Sequence, residues 1–248
     1  AVSRILPEGG FERVITGLPS LALSGGNAEG GPVDVSFVGT APYVTMSWGG
    51  NPNIRATLGG LSGMFGSVLH GTPAGTYQFV TDVSQHEVDR NPAGGNIDSN
   101  PYGTVALPGR RVVADAGANA LIEVRANGRT RTLAVLPYLP NVPPIPGPRE
   151  PVPTSVTEGP DGALYVSLLT SFPFWQGTAS VLRVSSDGSS ITPYLTGLTA
   201  VVDTAFDTGG ALYILEVASG QVGPPPFSPG LGSGRLLRKC PGASPPEV

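Results

Sequence analysis

The nine residues GPDGALYVS, 159–167, return nearly unchanged as TGGALYILE, 208–216. In both, a glycine-based turn precedes a short run of alternating apolar residues. Glycine supplies the positive φ a tight hairpin needs, and alternation with period two marks strand rather than helix. The repetition extends beyond these two copies. Strand–turn–strand segments open at Pro32 (PVDVSFVGTAPYVTM), Pro101 (PYGTVALPGRRVVADA), Pro153 (PTSVTEGPDGALYVSL) and Val201 (VVDTAFDTGGALYILE). A second set of hairpins alternates with them: 1–18, 66–83, 119–136, 179–198 and a damaged fifth copy, GRLLRKCPGASPPEV, at 234–248.

Equivalent positions in the second set, Arg4, His70, Glu123, Arg183 and Arg238, recur at roughly 50–65 residues, and two hairpins per period is the signature of a propeller blade. The expected fold is all-β: a β-propeller of four-stranded antiparallel blades, about five of them represented, the first and last incomplete. The whole chain, 1–248, reads as a single propeller domain with blades at 1–20 (partial), 31–83, 100–136, 152–198 and 201–248 (partial). A β-sandwich or jelly roll also gives many short strands, but it does not require repeated hairpin pairs. Only 52–65 reads as a short helix. The strands missing at the two ends do not match. The chain is therefore expected to be part of a longer propeller, or to have its open blade edges completed by a partner chain or a second copy.

Composition excludes several function classes. The net charge is −4, with one lysine against thirteen arginines and no evident basic cluster, so no nucleic-acid partner is expected. No apolar run approaches the roughly 18 residues of a membrane span. Cys240 is the only cysteine, which excludes an internal disulfide and a multi-cysteine metal site.

The stretches GNIDSNPYGTVALPGRRVVADAGANALIEV, PVPTSVTEGPDGALYVSLLTSFPFWQGTASVLRV and VVDTAFDTGGALYILEVASG resemble the ScyD/ScyE family, named for scytonemin biosynthesis, from about Val2 to Arg238. The resemblance implies a propeller exported from bacteria, hence an extracellular or periplasmic location. It implies no catalytic residues. It also implies further repeat sequence at both ends, from which LRKCPGASPPEV departs.

Labelling the strands of a blade a to d from the axis outward, the a–b and c–d turns are short and glycine-based. The long connections, 48–66, 84–100, 137–151, 168–178 and 218–233, all fall at b–c or d–a. These lie on one face, the expected interaction face for a small molecule or a protein. Aromatic residues in or beside these connections, Trp48, Tyr102, Phe172, Phe174 and Trp175, are the candidate ligand-binding residues. For the SFPFW run, exposure as a patch and burial as a cap on the core both stand.

Aligned, the repeats put Asp34, Gly103, Ser155 and Asp203 in one register at the start of strand a, and Met46, Asp115, Leu168 and Glu216 in another near the end of strand b. Asp34, Asp115, Asp203 and Glu216 are therefore candidate metal ligands, with Ca²⁺ the cofactor such a carboxylate set suits. The alternative is that each accepts backbone N–H groups of the neighbouring blade. His86, in the long loop SQHEVDRNPAGGNIDSN, is the weak candidate for a general base. His70 sits at a blade position that other repeats fill with arginine. No nucleophile elbow and no phosphate loop occurs. The expected function is a non-catalytic, secreted propeller that binds a ligand or protein partner through its long-loop face. The alternatives are a lactonase-, hydrolase- or lyase-type propeller enzyme, or a subunit of an extracellular assembly joined through open blade edges.

Overall fold

In a computed structural model of the protein, residues 1–22, 28–60, 62–140, 149–220 and 233–242 are described. Two proline-rich stretches, half of 138–153 (residues 141–148) and all of 223–230, lie outside that set, as do the last residues of the damaged fifth copy. The chain forms two compact units: residues 1–118 with 122–132, and residues 119–121 with 133–248.

In the first unit, β1 (Val2–Ile5) and β2 (Phe11–Ile15) make a hairpin. A five-stranded sheet follows, ordered β3 (Leu21–Ala22), β4 (Ala28–Val38), β5 (Ala41–Trp48), β6 (Ser67–Gly71) and β7 (Tyr77–Asp82). Next comes a four-stranded meander of β8 (Pro101–Leu107), β9 (Arg110–Asp115), β10 (Ala120–Arg125) and β11 (Thr130–Val135), of which the start of β10 and the end of β11 count with the second unit. The second unit holds the meander β12 (Pro153–Glu158), β13 (Leu164–Leu168), β14 (Ala179–Val184) and β15 (Ile191–Leu198). It ends in a three-stranded sheet of β16 (Val201–Phe206), β17 (Leu212–Glu216) and β18 (Arg235–Lys239). These are the blades of a β-propeller, and among the described residues the first sheet has two strands and the last has three, as the repeats predict. The strand β3, paired to the start of β4 through Leu21 and Gly30, was not legible in the repeats.

The register repeats from blade to blade. Every inner strand carries a bulge after its first residues: Pro32 pairs with Met46, Pro101 with Asp115, Pro153 with Leu168 and Val201 with Glu216. Pairing then resumes at Asp34, Gly103, Ser155 and Asp203. A bulge turns the strand and increases its twist. The aligned positions therefore share a local geometry.

Alternation selects what each blade buries. In the second unit Val181, Val201, Leu212 and Ile214 are fully enclosed, and Tyr165 meets Tyr194 and Phe206 edge-on at 4.8 Å each. Each such apolar side chain contributes about 1.5–3 kcal/mol. In the first unit Ile15, Val44, Met46 and Leu69 form the corresponding cluster. Glycine at the c–d turns also sets how closely blades approach. Gly128 and Gly188 have φ of 78° and 80°, and a Cβ there would lie 2.8 Å from the Val80 carbonyl and 2.0 Å from the Leu133 carbonyl of the preceding outer strand. Only glycine allows both the turn and the contact.

Candidate functional site

Each of the four carboxylates has partners of its own. Asp34 Oδ2 accepts the Thr104 N–H of the next inner strand at 2.6 Å, and Oδ1 accepts the Val35 N–H. Ser155, in the same register, accepts the Thr204 N–H at 3.1 Å, while Asp203 turns to the N–H of its neighbour Thr204. Asp115 is enclosed and accepts from Ser99 Oγ and from the backbone N–H groups of Asn100, Gly117 and Ala118. Burial pushes its pKa up, and those hydrogen bonds oppose the shift. Glu216, 0% exposed, accepts the Thr199 N–H at 2.7 Å and two guanidinium N–H groups of Arg235. Both b-strand acids thus fasten the chain segment that enters their own strand a. Among the described residues no group of three or more His, Cys, Asp or Glu gathers as a metal site would require.

The long connections are more ordered than the sequence suggests. Pro52–Leu58 and Ser62–Met64 form short 3-10 turns where a helix was expected. The loop after β7 begins with a helix, α1 (Ser84–Arg90), where none was expected. It is only seven residues long, too short for a periodic apolar stripe to show. His86 sits on α1, buried, with Nδ1 3.0 Å from Thr130 Oγ1 and Nε2 2.9 Å from Thr132 Oγ1. Burial, with help from the charge of Arg90, holds its pKa below the ordinary value. Both ring nitrogens are occupied, so His86 is a strut between α1 and β11 and not a solvated base.

Its neighbour Glu87, absent from the sequence-derived candidates, is 3% exposed, and its Oε2 has no hydrogen-bond partner among the described residues. Burial, with the nearby charge of Asp115 adding to it, pushes its pKa up to about 7.

The aromatic candidates separate. Trp48 is 4% exposed and packs near Phe65 at 6.2 Å between ring centres, so it belongs to the core of its blade. Phe172, 63% exposed, meets Phe174 edge-on at 5.8 Å, and Phe174 and Trp175 are half-buried. Tyr102 borders a cleft of about 580 Å³ at the long-loop ends of β4 and β8. Gly31, Pro32, Val33, Ser47 and Asn100 also line it. Ser47 Oγ donates to Asn100 Oδ1 across its wall at 2.8 Å.

A basic cluster does form, contrary to the expectation from composition. Glu123 is contacted by Arg110, Arg125 and Arg131 at 3.1, 3.3 and 2.8 Å. The Arg131 hydrogen bonds, followed by those from Arg110 and Arg125, pull its pKa down to about 2 against the opposing effect of burial. The arginines are spread over 22 residues of sequence (110–131), and only strand pairing collects them.

No family model matches the chain, and no curated protein sequence is significantly similar to it. Among solved structures, it is similar to a chain of the nidogen/laminin complex at 14% identity, with a TM-score of 0.52, over 87% of this chain and 63% of that one. It is also similar to the virginiamycin B lyase of Staphylococcus aureus, at 16% identity and a TM-score of 0.45, over 96% of this chain and 62% of the lyase. The chain thus spans less than two thirds of the length of either. At these identities the likeness shows the fold alone: the protein is a β-propeller.

Proposed function

We propose that this protein is a non-catalytic binding propeller of the ScyD/ScyE type, exported from the cell, whose ligand seats in the cleft beside Tyr102. The cleft itself carries the reading. Its volume is that of a small-molecule site. Gly31 and Pro32 line it, Tyr102 offers a partly exposed ring, and the Ser47 hydroxyl occupies Asn100 Oδ1, which leaves the Asn100 amide N–H as the group that donates to a ligand.

The state of the ionisable groups supports binding over catalysis. His86 is held at both nitrogens, the four carboxylates accept backbone N–H groups or arginine, and Glu87 lies outside the cleft. A hydrolase or lyase needs a base within reach of its substrate.

The test is a small-fragment titration followed by amide NMR. Shifts should cluster at Gly30, Gly31, Ser47 and Tyr102, and Tyr102→Ala should weaken the best fragment about tenfold, as loss of an aromatic anchor does. Fragments gathering elsewhere, or turnover of lactone esters that Glu87→Gln abolishes, would refute the proposal.

A further inference from the structure

At the opposite end of the same two sheets, a second cleft of about 340 Å³ opens among Tyr43, His70, Phe79, Arg111 and Asn127. Its floor holds an unusual cation. Arg111 is 8% exposed, yet its Nε and Nη1 are enclosed and have no hydrogen-bond partner among the described residues. Burying a guanidinium without an acceptor is costly, and native interiors rarely tolerate it unless something else supplies the acceptor.

Among the described residues no acid supplies it. Glu123, on the neighbouring strand, is taken by Arg110, Arg125 and Arg131. Arg110 and Arg111 are adjacent in β9, so they point to opposite faces of the sheet. Arg111 instead lies over Tyr43, its guanidinium carbon 3.8 Å from the ring centre, and His70 stacks on the same ring at 4.9 Å. A cation–π contact uses the flat face of the guanidinium. The in-plane N–H groups still lack an acceptor, and in-plane N–H groups are what a carboxylate binds.

The rest of the cleft fits an organic acid better than a bare inorganic ion. Phe79 is 58% exposed and gives one wall an apolar surface. Asn127 Oδ1 accepts the Arg129 N–H, which leaves the Asn127 amide to donate at the rim.

We propose that this cleft is a second binding site, separate from the one at Tyr102, and that it takes a small organic carboxylate. The carboxylate lies against Arg111 and the Asn127 amide, and the apolar body lies on Phe79. Nη2, the guanidinium nitrogen that is not enclosed, makes the first contact with the entering anion.

The test compares benzoate with benzamide, its neutral counterpart, and with inorganic phosphate, by calorimetry and by NMR of the Arg111 side chain and the Tyr43 and His70 rings. Benzoate should move those signals and bind at least about tenfold more tightly than benzamide, because a charge-assisted pair is lost in the amide. Arg111→Met should cost benzoate about tenfold or more. Phe79→Ala, at an exposed position, should weaken benzoate about threefold and leave the phosphate response unchanged. Tyr102→Ala should change none of these values. Equal affinity for benzoate and benzamide, or benzoate shifts that persist in folded Arg111→Met, would overturn the proposal. So would phosphate binding as tightly as benzoate, or no Arg111 response at about 10 mM benzoate, which is already weaker than a millimolar site. If Arg111→Met does not fold, the Phe79→Ala comparison and the Arg111 signals of the unmodified protein decide the matter.

Discussion

Replacing Glu123 by glutamine tests the electrostatics of the arginine cluster directly. The glutamate titrates near 2 in the folded protein against an ordinary 4.5. That separation corresponds to about 3 kcal/mol of stability at neutral pH, at roughly 1.4 kcal/mol per pH unit. The side chains of Arg110, Arg125 and Arg131 are 24%, 57% and 39% exposed, so water screens part of the attraction. A net loss of about 1.5–2 kcal/mol is expected after that discount. For a chain of this size it corresponds to a fall in Tm of roughly 3–8 °C.

The sign follows from the depressed pKa. The stabilisation is fully present above pH 4.5 and is lost as pH falls towards 2, where the folded carboxylate finally takes up its proton. Urea unfolding of both proteins at pH 7, 4 and 2 should therefore show a gap that is full at pH 7 and nearly closed at pH 2. Raising the salt to about 1 M at pH 7 should shrink it as well. Equal stabilities at pH 7, or a gap that survives at pH 2, would refute the reasoning.

Three further outcomes are expected. Gly188→Ala, whose Cβ would lie 2.0 Å from the Leu133 carbonyl, should cost at least about 2 kcal/mol; Gly162→Ala, with similar φ but open space around it, should cost about 1, both read from chemical denaturation. Trp48→Phe should stay within about 1 kcal/mol of the parent, because the indole N–H it removes is buried without a partner, whereas Trp48→Ala should cost about 3–5. Glu87→Gln mimics the protonated carboxyl. Because the folded pKa is raised, the stability Glu87 contributes is present below about 4.5 and lost as pH rises through about 7, so the variant should match the parent at pH 4 and have the higher Tm at pH 8.

The blades were legible because a hairpin repeat is a local signal: turn glycines and alternating apolar residues are neighbours in sequence. Alignment alone placed Asp34, Ser155 and Asp203 at one bulge position and Asp115 and Glu216 at another, and pairing confirms both registers. What the alignment could not show was direction. Asp34 meets Thr104, 70 residues away, and Glu216 meets Arg235 from the far side of a long connection. A register says which residues are equivalent, not which donor each will find. Trp48 and His86 misled for a related reason. A residue beside or within a long connection looks exposed in sequence, yet here the strand end and the short helix α1 fold inward. Arg111 left no signal, since an unpaired cation is visible only once every acid has been assigned.

The bond from a side chain at the bulge position to the N–H of the next inner strand also bears on how such a chain can change over time. The demand at that point is one short oxygen acceptor about 3 Å from a backbone nitrogen, and Asp34 and Ser155 meet it equally well. The partner is a main-chain group, which no substitution can alter short of proline. Either side of the junction can therefore drift without a compensating change in the other. Successive repeats can lose almost all resemblance while their blades stay docked, and hairpins as alike as GPDGALYVS and TGGALYILE can persist in a chain whose other copies have diverged widely.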